Sequence, residues 1–270
     1  MWKLAFVKYL HLRIETTFFT QIAEQINNFR TNFHIFTFSH FQIITMARFK
    51  RLKVLNTLVG TGIVPLYYHK DAAIVKNVVK ACYAGGARVF EFTNRGDFAH
   101  EVFAEVNKWC AGECPEMIMG VGSVVDSATA ALYIQLGANF IVSPSLNPDM
   151  AKVCNRRKIA WMPGCGTLSE INLAEELGCE IVKIFPGKEV GGPSFVKAIL
   201  APCPWTSIMP SGGVTPDREN LEAWFNAGVA CVGLGSQLTP AEAIAKGDYS
   251  FIEQKVREAI AIVAEIRNKK

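Results

Sequence analysis

Short runs of β-branched and apolar residues recur along most of the chain and predict eight strands. The runs are Gly62–Tyr67, Arg88–Thr93, Met117–Val121, Asn139–Ser143, Ala160–Pro163, Ile181–Phe185, Ile208–Ser211 and Ala230–Gly233. Apolar residues at helical spacing lie between several of them, and predict helices over Ala72–Ala84, Phe98–Cys110 and Arg218–Ala227. One further amphipathic helix is predicted over residues 47–59, ahead of the first strand.

Four of the junctions between a helix and the next strand are near copies of one another. In each, a glycine follows the helix and an apolar strand begins a few residues later; the junctions start at Ala84, Leu136, Leu177 and Ala227. Glycine suits the left-handed conformation that ends a helix. Repeated helix–glycine–strand units indicate parallel strands joined by right-handed crossovers, and eight of them favour a closed barrel. The sequence therefore predicts an α/β fold, a single (β/α)₈ TIM barrel with an N-terminal helix before strand 1.

Residues 1–45 differ in composition from the rest of the chain. All 21 glycines, 12 prolines and 8 cysteines lie after them, so the segment lacks turn chemistry. Acidic residues interrupt it, which is unlike a secretory signal. Our interpretation is that residues 1–45 are a non-native or disordered N-terminal extension, upstream of a true start at Met46. The predicted barrel domain then covers residues 46–270.

The charge pattern and the cysteines narrow the class of protein. The net charge of +4 is spread along the chain, with no basic block of the kind that marks nucleic-acid binding. No apolar run is long enough to predict a membrane-spanning helix. The cysteines form no C-x-x-C pair, and several lie in apolar runs, as reduced thiols in a cytoplasmic protein do. We expect a cytoplasmic protein without a nucleic-acid or membrane partner.

Lys183 lies in the sixth predicted strand, within the apolar run Ile181–Phe185. Active sites of such barrels lie at the carboxyl ends of the strands, where this residue falls. Burial favours the neutral amine, which is the form that attacks a carbonyl to give a Schiff base. A lysine that extends to the rim, or that pairs with a neighbouring carboxylate, fits the same pattern.

Glu91 and Arg95 belong to the second predicted strand and its exit. Strand alternation places Glu91, Thr93 and Arg95 on one face. Glu91 is then a candidate general acid/base, and Arg95 a candidate bidentate ligand for a substrate carboxylate. A structural bridge between Glu91 and a basic residue is the alternative.

Glycines and hydroxyl groups follow several other strands. Gly212 and Gly213 follow strand 7, and Gly235 and Ser236 follow strand 8, where many barrels bind phosphate through backbone N–H groups. Plain turn glycines are the alternative reading. Ser123 after strand 3 and Thr167 after strand 5 are weaker candidates as hydroxyl donors to a ligand. After residue 45 only His69 and His100 remain as imidazoles, so we expect no metal site.

Six short motifs in order resemble the class I 2-keto-3-deoxy-6-phosphogluconate and 4-hydroxy-2-oxoglutarate aldolases over roughly residues 47–245. They are Glu-x-Thr-x-Arg on strand 2, Gly-x-Gly-Ser-Val on strand 3, Ser-Pro on strand 4, Pro-Gly on strand 5, Val-Lys-x-Phe-Pro on strand 6 and Ser-Gly-Gly-Val on strand 7. The resemblance implies a lyase that forms a Schiff base with a small 2-keto acid. It also implies a homotrimer that needs no metal or organic cofactor.

The resemblance implies a role for each matching residue. Lys183 would form the Schiff base, and Glu91 would act as acid/base through a water. Arg95 and Ser123 would bind the pyruvyl carboxylate. The pocket wall and the phosphate site would be formed by Pro144, Phe185, Gly212, Gly213, Gly235 and Ser236.

The chain departs from the family pattern at three places. Tyr68 stands where many relatives have an arginine, Gly187 follows Pro186 where alanine is usual, and the strand 5 loop reads Gly164-Cys-Gly-Thr. The missing arginine leaves aldolases for phosphogalactonate analogues or unphosphorylated keto acids open. A sugar-phosphate epimerase or a thiamine-phosphate synthase would share the glycine loops, but would not need Lys183 beside Glu91. A non-catalytic barrel that binds an anionic metabolite is a third reading.

Overall fold

The computed structural model describes residues 47–269, together with Gln21 and Glu24 further upstream. The chain divides into two units, Met1–Thr45 and Met46–Lys270. In the first unit only Gln21 and Glu24 are described, and both are helical and exposed. The interpretation of residues 1–45 as an extension therefore concerns residues outside the described part of the chain, apart from these two.

Strands and helices alternate along the second unit. The strands are β1 Ile63–Tyr67, β2 Val89–Thr93, β3 Ile118–Gly122, β4 Phe140–Val142, β5 Ala160–Met162, β6 Gly164–Cys165, β7 Val182–Ile184, β8 Ile208–Pro210 and β9 Val232–Leu234. The helices are α1 Arg51–Thr61, α2 Ala72–Ala84, α3 Ala99–Glu113, α4 Ser127–Gln135, α5 Pro148–Arg156, α6 Leu168–Glu176, α7 Gly192–Leu200, α8 Arg218–Ala227, α9 Ala241–Lys246 and α10 Tyr249–Asn268. The predicted helix ahead of the first strand is thus present, but its bounds differ from the prediction.

Helix α1 begins later than the predicted 47–59 because residues 47–49 have other partners. The Arg48 guanidinium donates to the carbonyl oxygen of Met117, and the Phe49 N–H donates to Asn139 Oδ1 at 2.8 Å. These long-range contacts hold the segment against the entries of β3 and β4, so it does not take up helical geometry. The helix ends at Gly62, whose left-handed φ of 76° and N–H bond to the Leu58 carbonyl close it.

The described strands pair in parallel and form two sheets, with the orders β5-β4-β3-β2-β1-β9 and β6-β7-β8. The fifth predicted strand, Ala160–Pro163, is observed as β5; Pro163, which has no N–H to donate to a ladder, separates it from β6, a short strand that the prediction did not include. At the other edge, Ser211 and Gly233 form a parallel bridge beyond β8. The prediction of an α/β fold with parallel strands is confirmed. The hydrogen-bonded ladders form two sheets, however, and not one continuous sheet.

Two apolar clusters lie on opposite faces of the strands. The inner cluster combines helix α1 with one face of the strands: Val54, Leu55, Leu58, Val64, Val89, Ile118, Phe140, Val142, Ala160, Met162, Ile181, Met209 and Cys231. The outer cluster is larger and combines the other face, including Ile63, Phe90 and Val182, with the remaining helices. Because side chains alternate along a strand, residues two positions after an inner-cluster residue lie on the inner face as well.

The repeated glycine junctions behave as the sequence predicts. Gly86, Gly137, Gly178 and Gly228 all have φ between 83° and 106°, the left-handed region that favours glycine. Each lies between a helix and the next strand, so the chain reverses there. These reversals bring the carboxyl ends of the parallel strands to one edge, where the candidate residues lie.

Candidate active site

Lys183 and Glu91 both lie on the inner face, near the carboxyl ends of their strands. Lys183 is on β7, two residues after Ile181 of the inner cluster, and Glu91 is on β2, two residues after Val89. Their exposed fractions are 5% and 2%. Strand alternation, which the sequence already indicates, therefore aims an amine and a carboxyl group into the same interior.

The Lys183 amine is in an environment that favours its neutral form. Burial lowers the pKa of Lys183, the nearby Arg95 guanidinium lowers it further, and only Glu91 opposes the shift. The Nζ atom lies 4.9 Å from the centre of the Phe185 ring. A buried amine with a lowered pKa is the state that a Schiff-base nucleophile requires.

The Glu91 carboxyl group is buried and only partly compensated. Burial raises its pKa, while the charges of Lys183 and Arg95 oppose the rise. Its Oε2 atom is buried without a hydrogen-bond partner. Among the described residues, Glu91 and Lys183 form no ion pair within 4.0 Å. This arrangement suits a general acid/base that lies close to a nucleophile without forming an ion pair with it.

Gly122 makes the space that Glu91 occupies. A Cβ atom at Gly122, at the end of β3, would lie 1.7 Å from Glu91 Oε1 and 2.4 Å from its carboxyl carbon. Strands β2 and β3 pair in parallel, with Glu91 opposite Gly120. Only glycine at position 122 therefore allows the carboxyl group its present position.

Arg95 and Ser123 meet at the exits of β2 and β3. The Arg95 Nε donates to Ser123 Oγ at 3.2 Å, and Ser123 has a left-handed φ of 58°, which a residue other than glycine rarely adopts. The preceding Asn94 is fixed by two bonds, from its N–H to the Gly122 carbonyl at 2.8 Å and from the Tyr133 hydroxyl to its Oδ1 at 2.8 Å. The guanidinium is thus anchored at its base and exposed at its tip.

A pocket of about 230 Å³ opens beside Arg95, between the exits of β1, β2 and β9. It is lined by Leu66, Tyr67, Tyr68, Thr93, Arg95, Gly235, Ser236 and Thr239. Sequence reasoning named Arg95, Gly235 and Ser236 as site residues, noted Tyr68 and Thr93 without assigning them a role, and missed Leu66, Tyr67 and Thr239. Tyr68 and Thr93 carry a usable signal, because they are polar residues at strand ends. Thr239 carries none, since a turn closed by the Leu238 N–H to Gly235 carbonyl bond brings it back to the pocket.

The loops after β7 and β8 lie side by side. The N–H groups of Gly187 and Lys188 donate to the carbonyls of Ser211 and Gly212, at 2.8 and 3.1 Å. Gly212 and Gly213 have φ values of 89° and 75°, so both positions favour glycine. Within the described part of the chain, the N–H groups of Gly212, Gly213, Gly235 and Ser236 donate to no protein acceptor. Free N–H groups on adjacent loops are suited to binding an anion.

Asn220 of helix α8 holds the second of these loops in place. Its Oδ1 accepts from the Thr215 N–H at 2.9 Å, and its Nδ2 donates to the Gly213 carbonyl at 3.3 Å. Sequence reasoning did not single out this residue, because its partners are set by the way α8 packs behind the loop.

The lining of the 230 Å³ pocket does not include Lys183, Glu91, Ser123, Gly212 or Gly213, and three further predicted residues also lie outside it. Phe185 follows β7 and lies beside Lys183, and Pro144 follows β4, with its carbonyl oxygen so close to Gly164 that a Cβ there would lie 2.2 Å away. Thr167 is the N-cap of α6: its Oγ1 accepts from the Glu170 N–H at 3.2 Å and donates to Glu170 Oε2 at 2.9 Å. Its hydroxyl is thus engaged in a capping box, which Thr-x-x-Glu also signals in the sequence.

The described residues give no support for a metal-ion site or a membrane-spanning helix. They contain no group of three or more His, Cys, Asp or Glu side chains suited to a metal ion. No helix among them has the length and apolar character needed to cross a bilayer.

A parallel α/β fold that holds a buried lysine with a lowered pKa beside a buried glutamate is suited to the chemistry of a lysine-dependent carbonyl enzyme. The family model for KDPG and KHG aldolase matches residues 54–255. The chain is 34% identical over 204 residues to the 2-dehydro-3-deoxy-phosphogluconate aldolase of Pseudoalteromonas atlantica, covering 76% of this chain and 92% of that protein. It therefore belongs to the KDPG and KHG aldolase family, and it is an aldolase, a lyase.

Two solved structures agree with this assignment. The KDPG aldolase of Legionella pneumophila, with pyruvate captured as a covalent carbinolamine, has a TM-score of 0.69 and 25% identity, covering 76% of this chain and 97% of that one. The KDPG aldolase of Zymomonas mobilis with 3-phosphoglycerate has a TM-score of 0.67 and 28% identity, covering 78% and 95%. The resemblance drawn from six short motifs is thus confirmed at the level of family and of reaction class.

Proposed function

We propose that the protein cleaves 2-keto-3-deoxy-6-phosphogluconate to pyruvate and glyceraldehyde 3-phosphate, 4-hydroxy-2-oxoglutarate to pyruvate and glyoxylate, or both, through a Schiff base on Lys183. One observation carries the proposal: the Lys183 amine is buried with a lowered pKa, beside a buried glutamate that it does not neutralise. The covalent pyruvate adduct of the Legionella pneumophila enzyme supports amine chemistry in this family.

The reaction begins when the neutral Lys183 amine attacks the C2 ketone to give a carbinolamine, which loses water to form an iminium ion. The Glu91 carboxylate removes the proton of the C4 hydroxyl, through a water. The C3–C4 bond then breaks, its electron pair moves into the iminium as an enamine, and the aldehyde leaves. Glu91 returns a proton to C3, and water hydrolyses the iminium to release pyruvate and the free amine. The raised pKa of Glu91 brings its proton affinity closer to neutral pH, where a general base works best.

The remaining residues would hold the two ends of the substrate. Arg95 and Ser123, which are already hydrogen-bonded to each other, would bind the pyruvyl carboxylate. Pro144 and Phe185 would wall the pyruvyl unit. The free N–H groups of Gly212, Gly213, Gly235 and Ser236 support a phosphate site. Thr167 has a weaker claim to contact substrate, because its hydroxyl caps a helix.

The proposal also covers the closure of the barrel, the extent of the native chain, the oligomeric state and the cellular location. The two sheets meet at Pro163 and at the Ser211–Gly233 bridge, which supports one closed (β/α)₈ barrel over residues 46–270. We also infer that residues 1–45 are not part of the native protein, which mass spectrometry of the native N-terminus tests. The resemblance supports a homotrimer, and the unpaired state of all eight cysteines supports the cytoplasm.

Covalent trapping tests the catalytic proposal. The protein is incubated with pyruvate, the imine is reduced with borohydride, and the adduct is mapped by peptide mass spectrometry. We expect the mass increment of a reduced pyruvyl imine on Lys183, and none on the exposed Lys197 of α7. If Lys183 carries no increment, the Schiff-base mechanism is wrong.

A further inference from the structure

The lining of the 230 Å³ pocket is unusual in the balance of its polar groups. Five side chains bring a hydroxyl and only one brings a charge, the guanidinium of Arg95; the hydroxyls belong to Tyr67, Tyr68, Thr93, Ser236 and Thr239. A hydroxyl both donates and accepts hydrogen bonds, whereas a phosphate or a carboxylate only accepts them. With Arg95 engaged by the pyruvyl carboxylate and the Gly235 and Ser236 N–H groups by the phosphate, the remaining hydroxyls of the lining are suited to the hydroxylated carbon chain between the two anionic ends.

Tyr68 is held in place by packing on two sides. Its ring packs edge-on against Phe92, with 5.7 Å between the ring centres. Its hydroxyl oxygen lies over Gly96, where an added Cβ would be only 2.0 Å away. The absence of a side chain at Gly96, one residue after Arg95, therefore creates the place where this hydroxyl rests.

The Tyr68 hydroxyl has no protein partner. Among the described residues, no hydrogen bond to this oxygen is formed, although the ring is partly buried and lines the pocket. The contrast with Tyr133 is informative, because the Tyr133 hydroxyl nearby is engaged by Asn94 at 2.8 Å. A fixed ring with a free hydroxyl at a pocket wall is suited to bonding a ligand at little cost in side-chain entropy.

We propose that Tyr68 is a specificity-determining residue, whose hydroxyl bonds the chain hydroxyl next to the cleaved C3–C4 unit in a six-carbon 3-deoxy-2-keto sugar acid. This inference rests on the proposed function and names the part of the substrate that the pocket recognises. The five-carbon substrate 4-hydroxy-2-oxoglutarate has no hydroxyl at that position, where its second carboxylate lies, so the bond between the two hydroxyls is confined to the six-carbon substrates. The phosphate contacts the glycine loops, not Tyr68.

The test compares Tyr68→Phe with the unaltered protein on three substrates. These are 2-keto-3-deoxy-6-phosphogluconate, its unphosphorylated analogue 2-keto-3-deoxygluconate, and 4-hydroxy-2-oxoglutarate. Loss of one neutral hydrogen bond should lower kcat/KM about 5- to 10-fold on both six-carbon substrates, and less than about 2-fold on the five-carbon one. Tyr83→Phe, which alters a tyrosine that packs on Arg88 outside the pocket, serves as the matched control and should change none of the three values.

Two results would overturn the inference. A loss confined to the phosphorylated substrate means that Tyr68 contacts the phosphate, and equal values or equal losses on all three mean that it selects no substrate. Pyruvate trapping on the Tyr68→Phe protein separates this failure from a failure of the proposed function. Lys183 should be labelled as in the unaltered protein, whereas an unlabelled Lys183 in both proteins would refute the Schiff base itself.

Discussion

The two ends of the inner face differ in what their side chains do. At the amino end, Leu58 and Val54 of helix α1 pack on Val64, Val89 and Ile118 of the strands, and all five side chains are fully buried and apolar. Burial of such side chains is favourable, since each contributes roughly 1.5–3 kcal/mol on leaving water. This end needs no polar partner, and its composition is explained by packing alone.

At the carboxyl end, the same face carries Lys183 and Glu91, buried without an ion pair between them. Burial of an ionisable group without a close partner costs free energy, as the opposite pKa shifts of the two residues indicate. The apolar packing at the amino end of the face offsets this free-energy cost. One face therefore provides stability at one end and reactive groups at the other, and the following substitutions test that division.

The largest expected effect is the loss of catalysis in Lys183→Met. We expect kcat for retro-aldol cleavage to fall at least about 10⁴-fold, because no other group provides the covalent step. The unfolding free energy should stay the same or rise, because an apolar side chain of similar length replaces a buried amine. Rates of pyruvate release and denaturant unfolding measure the two quantities.

Lys197→Met is the control for this substitution, since Lys197 is exposed on α7. It should leave kcat unchanged. A Lys183→Met protein with more than about one per cent of normal activity would contradict the assignment, since loss of a covalent nucleophile costs orders of magnitude more.

At the apolar end, Leu58→Ala should affect stability and spare the chemistry. Leu58 is fully buried in the inner cluster, so we expect the unfolding free energy to fall by about 2–5 kcal/mol. Well below the unfolding midpoint, kcat should remain within about 3-fold of normal, because the substitution does not alter the groups that react. Chemical denaturation and initial rates check the two parts.

Leu52→Ala in the same helix is the matched control. Leu52 is 74% exposed, so its loss should change stability by no more than about 0.5 kcal/mol. A large fall in kcat for Leu58→Ala, without loss of fold, would show that the two ends are not separate in function.

Gly122→Ala should affect both properties moderately. The new Cβ would lie 1.7 Å from Glu91 Oε1, so the carboxyl group has to move. We expect a loss of about 1–3 kcal/mol in stability from overpacking, and a fall of roughly 100-fold in kcat/KM from a misplaced acid/base. Gly112→Ala in helix α3, where an added Cβ meets nothing within 4 Å, should instead stabilise the protein by about 0.5–1 kcal/mol. Unchanged kcat/KM in Gly122→Ala would argue against Glu91 as the acid/base.

The smallest effects concern the dependence of stability on pH. The pKa of Glu91 is raised above its ordinary 4.5, so the native state binds more protons in the window between the two values. The contribution of Glu91 is therefore full below pH 4.5 and is lost as the pH rises through the native pKa. The pKa of Lys183 is lowered below 10.5, so the unfolded chain binds more protons between the two values, and stability rises with pH in that window.

Unfolding free energies measured across pH should show both slopes in the unaltered protein. Glu91→Gln should lack the fall that begins above pH 4.5, and Lys183→Met should lack the rise that ends at pH 10.5. Slopes of the opposite sign would mean that the two groups are compensated in the native state.

Sequence reasoning was most successful where local chemistry decides the outcome. The glycine at each of four junctions predicted a left-handed helix end, and the strand pattern predicted that Lys183 and Glu91 lie late in their strands. It was less successful with helix α1, whose start is set by contacts from Arg48 and Phe49 to residues about 70 and 90 positions away. It also did not identify the capping role of Thr167, whose hydroxyl accepts from the Glu170 N–H at the start of α6.

What the sequence determined by itself was therefore the order of the elements, the presence of a lysine and a glutamate late in their strands, and the class of chemistry. These depend on residue type and on a period of two along a strand, both of which are local. What only the tertiary structure decided was the free hydroxyl of Tyr68 over Gly96, the space for Glu91 at Gly122, and the return of Thr239 to the pocket. These depend on close approach between segments distant in the chain, and such approach is fixed by packing, not by local pattern.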